Sequence, residues 1–186
     1  DAFTDLLFGG NPAGVCPLEQ WLPDDTMQKI AMENNLSETA FFVKNGENYQ
    51  IRWFTPRVEV KLCGHATLAS AHVLFNDYHY PGDIISFESK SGILKVRREG
   101  ELLILDFPSN MPQRTSLPQE FVHALNITPV QCFRGTDDYL LLYKTQREIE
   151  ELIPDFRKLE KVDARAVIVS APGDKVDFVS RFFGPR

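Results

Sequence analysis

The chain has 186 residues, 25% of them charged and 43% hydrophobic, with a formal net charge of −6 at neutral pH. This is globular composition, long enough for one large domain or two small ones, and the acidic balance argues against nucleic acid or an anionic membrane as the main partner. No apolar run approaches the roughly 20 residues of a membrane span, and the three scattered cysteines (Cys16, Cys63, Cys132) form no disulfide framework, which reads as a cytoplasmic chain.

Phe8-Gly-Gly-Asn-Pro-Ala-Gly is a tight loop, since Gly-Gly and Asn-Pro are strong turn signals. It is either a plain turn or a backbone wall of a pocket, with Gly10 and Asn11 at its centre. Pro23-Asp24-Asp25 predicts the cap of a helix over about 25 to 34, with Met27, Ile30 and Ala31 on one face and Asn34-Asn35 at its end. Leu36 to Val43 is a short loop running into an apolar strand, with Glu38 at its mouth. Such a glutamate is either a solvated edge charge or a carboxyl placed in a low-polarity site. Desolvation there would raise its pKa toward the range that general acid/base work at neutral pH requires.

Residues 52 to 75 are the organising stretch. Trp53 and Val58 to Leu62 favour strand, and Pro56 excludes a helix interior. From His65 to Phe75 the residues form helix and are apolar on every side, which predicts a buried helix over about 64 to 76. Its first amides lack partners inside the helix and carry the positive end of the helix dipole. Gly64 allows close approach to that backbone, so Cys63-Gly64-His65-Ala66-Thr67 could seat a carboxylate. An ordinary helix start, with Cys63 as a small hydrophobe and His65 bonded to a carbonyl, fits the same residues. No metal is expected: His65 and His72 would stand roughly 10 Å apart, and neither Cys-x-x-Cys nor His-x-x-x-His occurs.

After Pro81-Gly82 the pattern predicts antiparallel strands at 84 to 88, 92 to 98 and 102 to 107. Lys95, Arg97 and Arg98 fit a solvated face. Pro108, Pro112 and Pro118 mark a linker, dividing the chain into units of about 1–111 and 112–186. Beyond it the pattern predicts helices at about 118 to 125 and 146 to 153. Strands are expected at 130 to 134, 139 to 144, 166 to 170 and 176 to 183.

Five motifs are similar, in order, to those of the phenazine-biosynthesis PhzF-like isomerase family, which has a diaminopimelate-epimerase-like fold. They are Asp1-Ala-Phe-Thr, Gly10-Asn-Pro-Ala, Ser37-Glu-Thr-Ala-Phe, Arg52-Trp-Phe-Thr-Pro and Cys63-Gly-His-Ala-Thr. The resemblance implies an α+β fold of two pseudo-symmetric lobes, each a curved mixed sheet around a central helix, with the site in a cleft between them. It implies a cofactor-independent isomerase or epimerase, without metal, that moves a proton on a small carboxylated metabolite. The expected assembly is a homodimer. The family's catalytic glutamate matches Glu38 and its active-site histidine matches His65, and Gly10, Asn11, Gly64, Ala66 and Thr67 are expected to bind substrate.

The family pattern continues past Phe183-Gly-Pro-Arg, so the chain is expected to be a piece whose second lobe lacks its central helix. Val167, Val169, Val179 and Phe182 would then lack a core partner, and the 186-residue chain is expected to self-associate and not to be catalytically competent. Two other readings stay open. Cys63 could act as base, its thiol activated at the helix N-terminus as in cysteine-based racemases and epimerases. The scaffold could also serve a non-catalytic binding protein.

Overall fold

The computed structural model describes residues 1–6, 8–107 and 109–184. The chain divides into two compact units, Asp1–Pro108 and Ser109–Arg186.

In the first unit the elements run β1 (Ala13–Leu18), α1 (Asp24–Asn34), β2 (Glu38–Asn45), β3 (Asn48–Phe54), β4 (Glu59–Val60), α2 (Gly64–Asn76), β5 (Ile84–Ser89), β6 (Gly92–Glu99) and β7 (Leu102–Asp106). One mixed sheet takes the order β1-β2-β3-β5-β6-β7, with β4 added beside β3. The β1/β2 and β3/β5 pairs are parallel and the others antiparallel. Helix α2 touches β1 and β2 at one end of that order and β7 at the other. Six strands laid flat would put those ends roughly 24 Å apart, so the sheet has to curl around the helix.

Strand alternation sorts the side chains of β2 and β3 between two cores. Ala40, Phe42, Ile51 and Trp53 pack with Ala66, Ala71, Leu74 and Phe75 of α2. Phe41 and Phe54 point to the opposite face and meet Met27 and Ala31 of α1. The run Ala40 to Phe42 is therefore continuously apolar because both faces of β2 are covered. Arg52 ties α1 to this face. It grips Glu59 through Nε and Nη2 at 2.8 and 2.9 Å, reaches Asp24 at 2.8 Å, and stacks near Trp21 and Phe54.

The second unit contains β8 (Gln113–Thr115), α3 (Gln119–Ala124), β9 (Gln131–Arg134), β10 (Asp138–Leu142), α4 (Gln146–Glu151), α5 (Phe156–Leu159), β11 (Ala166–Pro172) and β12 (Phe178–Phe183). Its sheet runs β12-β11-β10-β9-β8, and only β10 and β11 are parallel. The order strand, helical crossover, parallel strand, antiparallel strand repeats that of β1-α1-β2-β3. Helix α4 starts with a full capping box between Thr145 and Glu148. At its other end Arg181 donates to the carbonyls of Ile149 and Leu152 at 2.9 and 2.7 Å.

Several expectations need correction. Helix α2 is not buried all round within its unit: His72 and Asn76 are exposed, and Leu68, Ala69 and Val73 are half-buried. Apolarity alone cannot say which flank a curled sheet reaches. Asp24 and Asp25 do not cap α1; Pro23 occupies the cap position, and the carboxylates serve Arg52 and Lys29 instead. The proline-marked segment holds a short strand, β8. The second unit is not left without a core, because Val167 and Val169 are fully buried and Val179 packs with them against α3, α4 and α5 residues. Phe182 lies on the opposite face of β12 and is exposed. Strand β1 and helix α5 give no clear sequence signal. No helix among the described residues is long and apolar enough to cross a membrane.

The one-sided burial of α2 is testable. Ala71 is fully buried against the sheet, whereas Ala69 is half-buried. Ala71→Leu should cost about 1–3 kcal/mol by overpacking, and Ala69→Leu less than about 0.5 kcal/mol. Urea unfolding midpoints check this, and equal losses at both positions would mean that the helix is enclosed on every side.

Candidate active site

Three chain segments meet at the N-terminal end of α2 because of sheet register. Ala13 of β1 pairs with Glu38 of β2, so the loop before Ala13 and the mouth of β2 share one end of the sheet. The next strand, β3, ends at Phe54, opposite Thr39, and the chain returns through β4 to start α2 at Gly64. The result places Glu38 Oε2 3.5 Å from Nε2 of His65.

His65 is 8% exposed and Glu38 22%, so the contact sits at a boundary between core and solvent. The Nε2 atom of His65 is buried and has no hydrogen-bond partner, since 3.5 Å is too long for one here. On the other side of the ring, Nδ1 lies 3.4 Å from Cys63 Sγ. Burial pulls the imidazole pKa below its ordinary value, while the Glu38 charge and the Pro12 carbonyl pull it back up. Burial wins, and the ring is held toward its neutral form.

Cys63 is in the N-cap position and 7% exposed, packed among the α2 core with Leu62 and Leu68 beside it. Burial and the nearby Glu38 charge push its thiol up to about 12, against a weaker opposing effect of the Ala66 amide. The expectation of an activated thiol at this helix end is therefore reversed. The dipole that would lower the pKa is outweighed by desolvation and by a carboxylate neighbour.

The expected substrate-binding residues divide. The buried Thr67 hydroxyl is already spent on the Cys63 carbonyl at 2.6 Å. The Ala66 amide faces the Cys63 sulfur. Gly64 stands at the helix start with the Phe107 ring close by, where an added Cβ would come within 3.2 Å of it. Gly10 and Asn11 belong to a backbone bridge: Ala2 donates to the Asn11 carbonyl at 2.9 Å, and Asn11 donates to the Ala2 carbonyl at 3.1 Å. A Cβ on Gly10 would sit 2.2 Å from the Ala2 carbonyl oxygen. The glycine is thus required for close approach of the chain to itself, and it fixes the loop that carries Pro12 to the ring. Pro12 was not singled out from sequence; its place inside Gly10-Asn11-Pro12-Ala13 was the available signal.

A pocket of about 660 Å³, lined by Phe42, Lys44, Tyr49, Leu74, Tyr78 and Tyr80 among others, contains none of these residues. It adjoins the C-terminal half of α2, so this space and the Glu38–His65 contact are at different ends of the helix.

A curled mixed sheet around a helix, with a carboxylate and an imidazole at the helix N-terminus, defines a protein of the diaminopimelate-epimerase-like fold. A family model described as "Phenazine biosynthesis-like protein" matches residues 1–186. An uncharacterized isomerase of Pseudomonas aeruginosa is 51% identical over the whole chain, which covers 71% of that relative. A mouse phenazine biosynthesis-like domain-containing protein is 39% identical, with 74% of its length covered. A solved PhzF-family phenazine biosynthesis protein of Enterococcus faecalis superposes with a TM-score of 0.90 at 48% identity, covering the whole chain and 71% of that structure. A structure described as a "probable proline racemase" from Agrobacterium radiobacter, 8% identical over 87% of the chain and 59% of its own, shares the fold with a TM-score of 0.53. The chain belongs to the phenazine biosynthesis-like PhzF family, and it is an isomerase.

The raised thiol pKa has a direct chemical consequence. At pH 8 Cys63 should hold on the order of 10³-fold less thiolate than an ordinary cysteine, so native-state alkylation by iodoacetamide should be at least about 100-fold slower than in urea. Peptide mass mapping after timed quenching reads this. Native labelling of Cys63 as fast as unfolded labelling would overturn the buried-thiol account.

Proposed function

We propose that Glu38 is the proton-transferring base of a cofactor-independent isomerisation of a small carboxylated substrate, with His65 as its partner. The observation that carries this reading is the 3.5 Å approach of the Glu38 carboxylate to a buried imidazole nitrogen that has no partner of its own. A carboxylate that is largely but not fully enclosed can meet a small substrate and is not locked in a structural ion pair. Arg52 and Glu59 provide the contrast, since two bonds there hold the carboxylate in place.

The chemistry follows from the charge layout. A substrate carboxylate would sit against the N-terminal amides of α2 at Gly64 and His65, where the helix dipole favours an anion. Glu38 would then remove a proton from the carbon next to that carboxylate. The carbanion so formed is stabilised as its charge spreads onto the carboxylate held by the amides. His65, kept toward its neutral form, can donate a hydrogen bond from Nε2 to a developing oxyanion or to Glu38 itself. Returning the proton from the Glu38 carboxyl to a different carbon completes an isomerisation, whereas an epimerisation needs a second acid on the opposite face. Cys63 is a packing residue in this scheme. The reading extends to a homodimer acting in the cytoplasm.

Proton exchange at carbon is the diagnostic half-reaction, because it needs only one base and a held carboxylate. A panel of amino, hydroxy and cyclic unsaturated acids incubated with the protein in D2O, followed by proton NMR, should show enzyme-dependent loss of one C–H signal. Glu38→Gln should slow that loss by about 10²–10⁴-fold. Cys63→Ala should leave it within about threefold. Exchange that survives in Glu38→Gln and disappears in Cys63→Ala would reverse the assignment in favour of a cysteine base.

A further inference from the structure

The same cluster has the composition and spacing of a metal site. One carboxylate oxygen of Glu38, the sulfur of Cys63 and one ring nitrogen of His65 all lie within 4.8 Å of one another. The second observation is independent of that spacing. His65 is only 8% exposed, and its Nε2 faces the Glu38 carboxylate at 3.5 Å without any hydrogen-bond partner. A buried polar atom left in this state is costly unless something else occupies the space.

We propose that Glu38, Cys63 and His65 bind a soft divalent cation of the zinc class, and that the bound cation blocks proton transfer by holding the base. The binding clause stands on geometry and donor chemistry. The blocking clause rests on Glu38 being the base, as proposed above.

Zinc bonds of about 2.0–2.3 Å in a tetrahedron put neighbouring donor atoms about 3.4–3.6 Å apart. Cys63 Sγ and His65 Nδ1 are 3.4 Å apart, and His65 Nε2 and Glu38 Oε2 are 3.5 Å apart. A ring presents an ion with only one nitrogen, so only one of these two contacts can serve as a donor–donor edge, and the other two edges close from at most 4.8 Å by side-chain adjustment. Thiolate and imidazole donors select zinc-class ions over magnesium or calcium, which prefer oxygen cages. On binding, the thiol proton passes to solvent and the sulfur becomes a thiolate ligand. Three protein donors leave the fourth position to water. Comparing histidines along the sequence could not find this site, because its oxygen donor comes from a strand 25 residues upstream of the sulfur.

Cobalt(II) is the probe, since a tetrahedral cobalt–thiolate centre gives near-ultraviolet charge-transfer and visible bands. The chelator-treated chain should develop these bands at one cobalt per chain and lose them when zinc is added. Cys63→Ala should abolish the charge-transfer band. Glu38→Gln and His65→Gln should weaken binding at least tenfold. A Cys16→Ser, Cys132→Ser double variant should bind as the parent does. Absence of the bands, or a charge-transfer band that persists in Cys63→Ala, overturns the site. If Cys63→Ala does not fold, Glu38→Gln and the double cysteine variant decide the same point. Saturating zinc should lower carbon-proton exchange at least tenfold, and unchanged exchange in the zinc-loaded protein would overturn the blocking clause alone. Exchange that survives Glu38→Gln would instead defeat the functional assignment and leave the cobalt result standing.

Discussion

Burial of α2 inside the curled sheet is the constraint on which the site depends. Ala66 and Ala71 are fully buried, and Leu74 and Phe75 nearly so, so the axis of α2 is fixed by side chains along its length. Each large apolar side chain buried in this way contributes roughly 1.5–3 kcal/mol. With the axis fixed, the first turn has one place to be, directly at the mouth of β2. The Glu38–His65 contact is then a product of packing and needs no strong attraction of its own.

This arrangement explains how a weak polar contact can be kept in a chemically useful state. The ring is confined by its helix, by the Cys63 sulfur and by the Pro12 carbonyl, while Glu38 is confined by its β1 pairing with Ala13, and the next residue, Thr39, by pairing with Phe54 of β3. Neither group is saturated by the other. An acid/base site requires groups held in position with bonding capacity left over, and that differs from the saturated Arg52–Glu59 pair on the other face of the same sheet.

Much of this was legible in the sequence, for identifiable physical reasons. The buried helix was legible because apolar residues fall on most of its sides, and β2 because a two-sided strand is continuously apolar. The motif set, through its resemblance to the PhzF-like family, points to Glu38, His65 and the loop at Gly10 and Asn11 as one candidate site. What was not legible depended on long-range register. Strand β1 has Cys16, Pro17 and half-buried neighbours, with no alternation to reveal it. Gly10 reads as part of a turn or a pocket wall, and that the atom it makes room for is the Ala2 carbonyl is a long-range fact that the local sequence does not show. Cys63 at a helix N-terminus suggested a low thiol pKa, and only the three-dimensional neighbourhood shows that burial and Glu38 reverse the sign. The open flank of α2 at His72 and Asn76 also required knowing which strands the sheet brings over it.

The central claim is that a small carboxylate is received at the first turn of α2, facing Glu38. Amide NMR during titration with a simple monocarboxylate tests this most directly. The account predicts saturable shifts at Gly64, His65 and Ala66 together with the His65 ring, lost or displaced in His65→Gln. Shifts confined to Tyr49, Tyr78 and Tyr80, around the pocket at the other end of the helix, would contradict it.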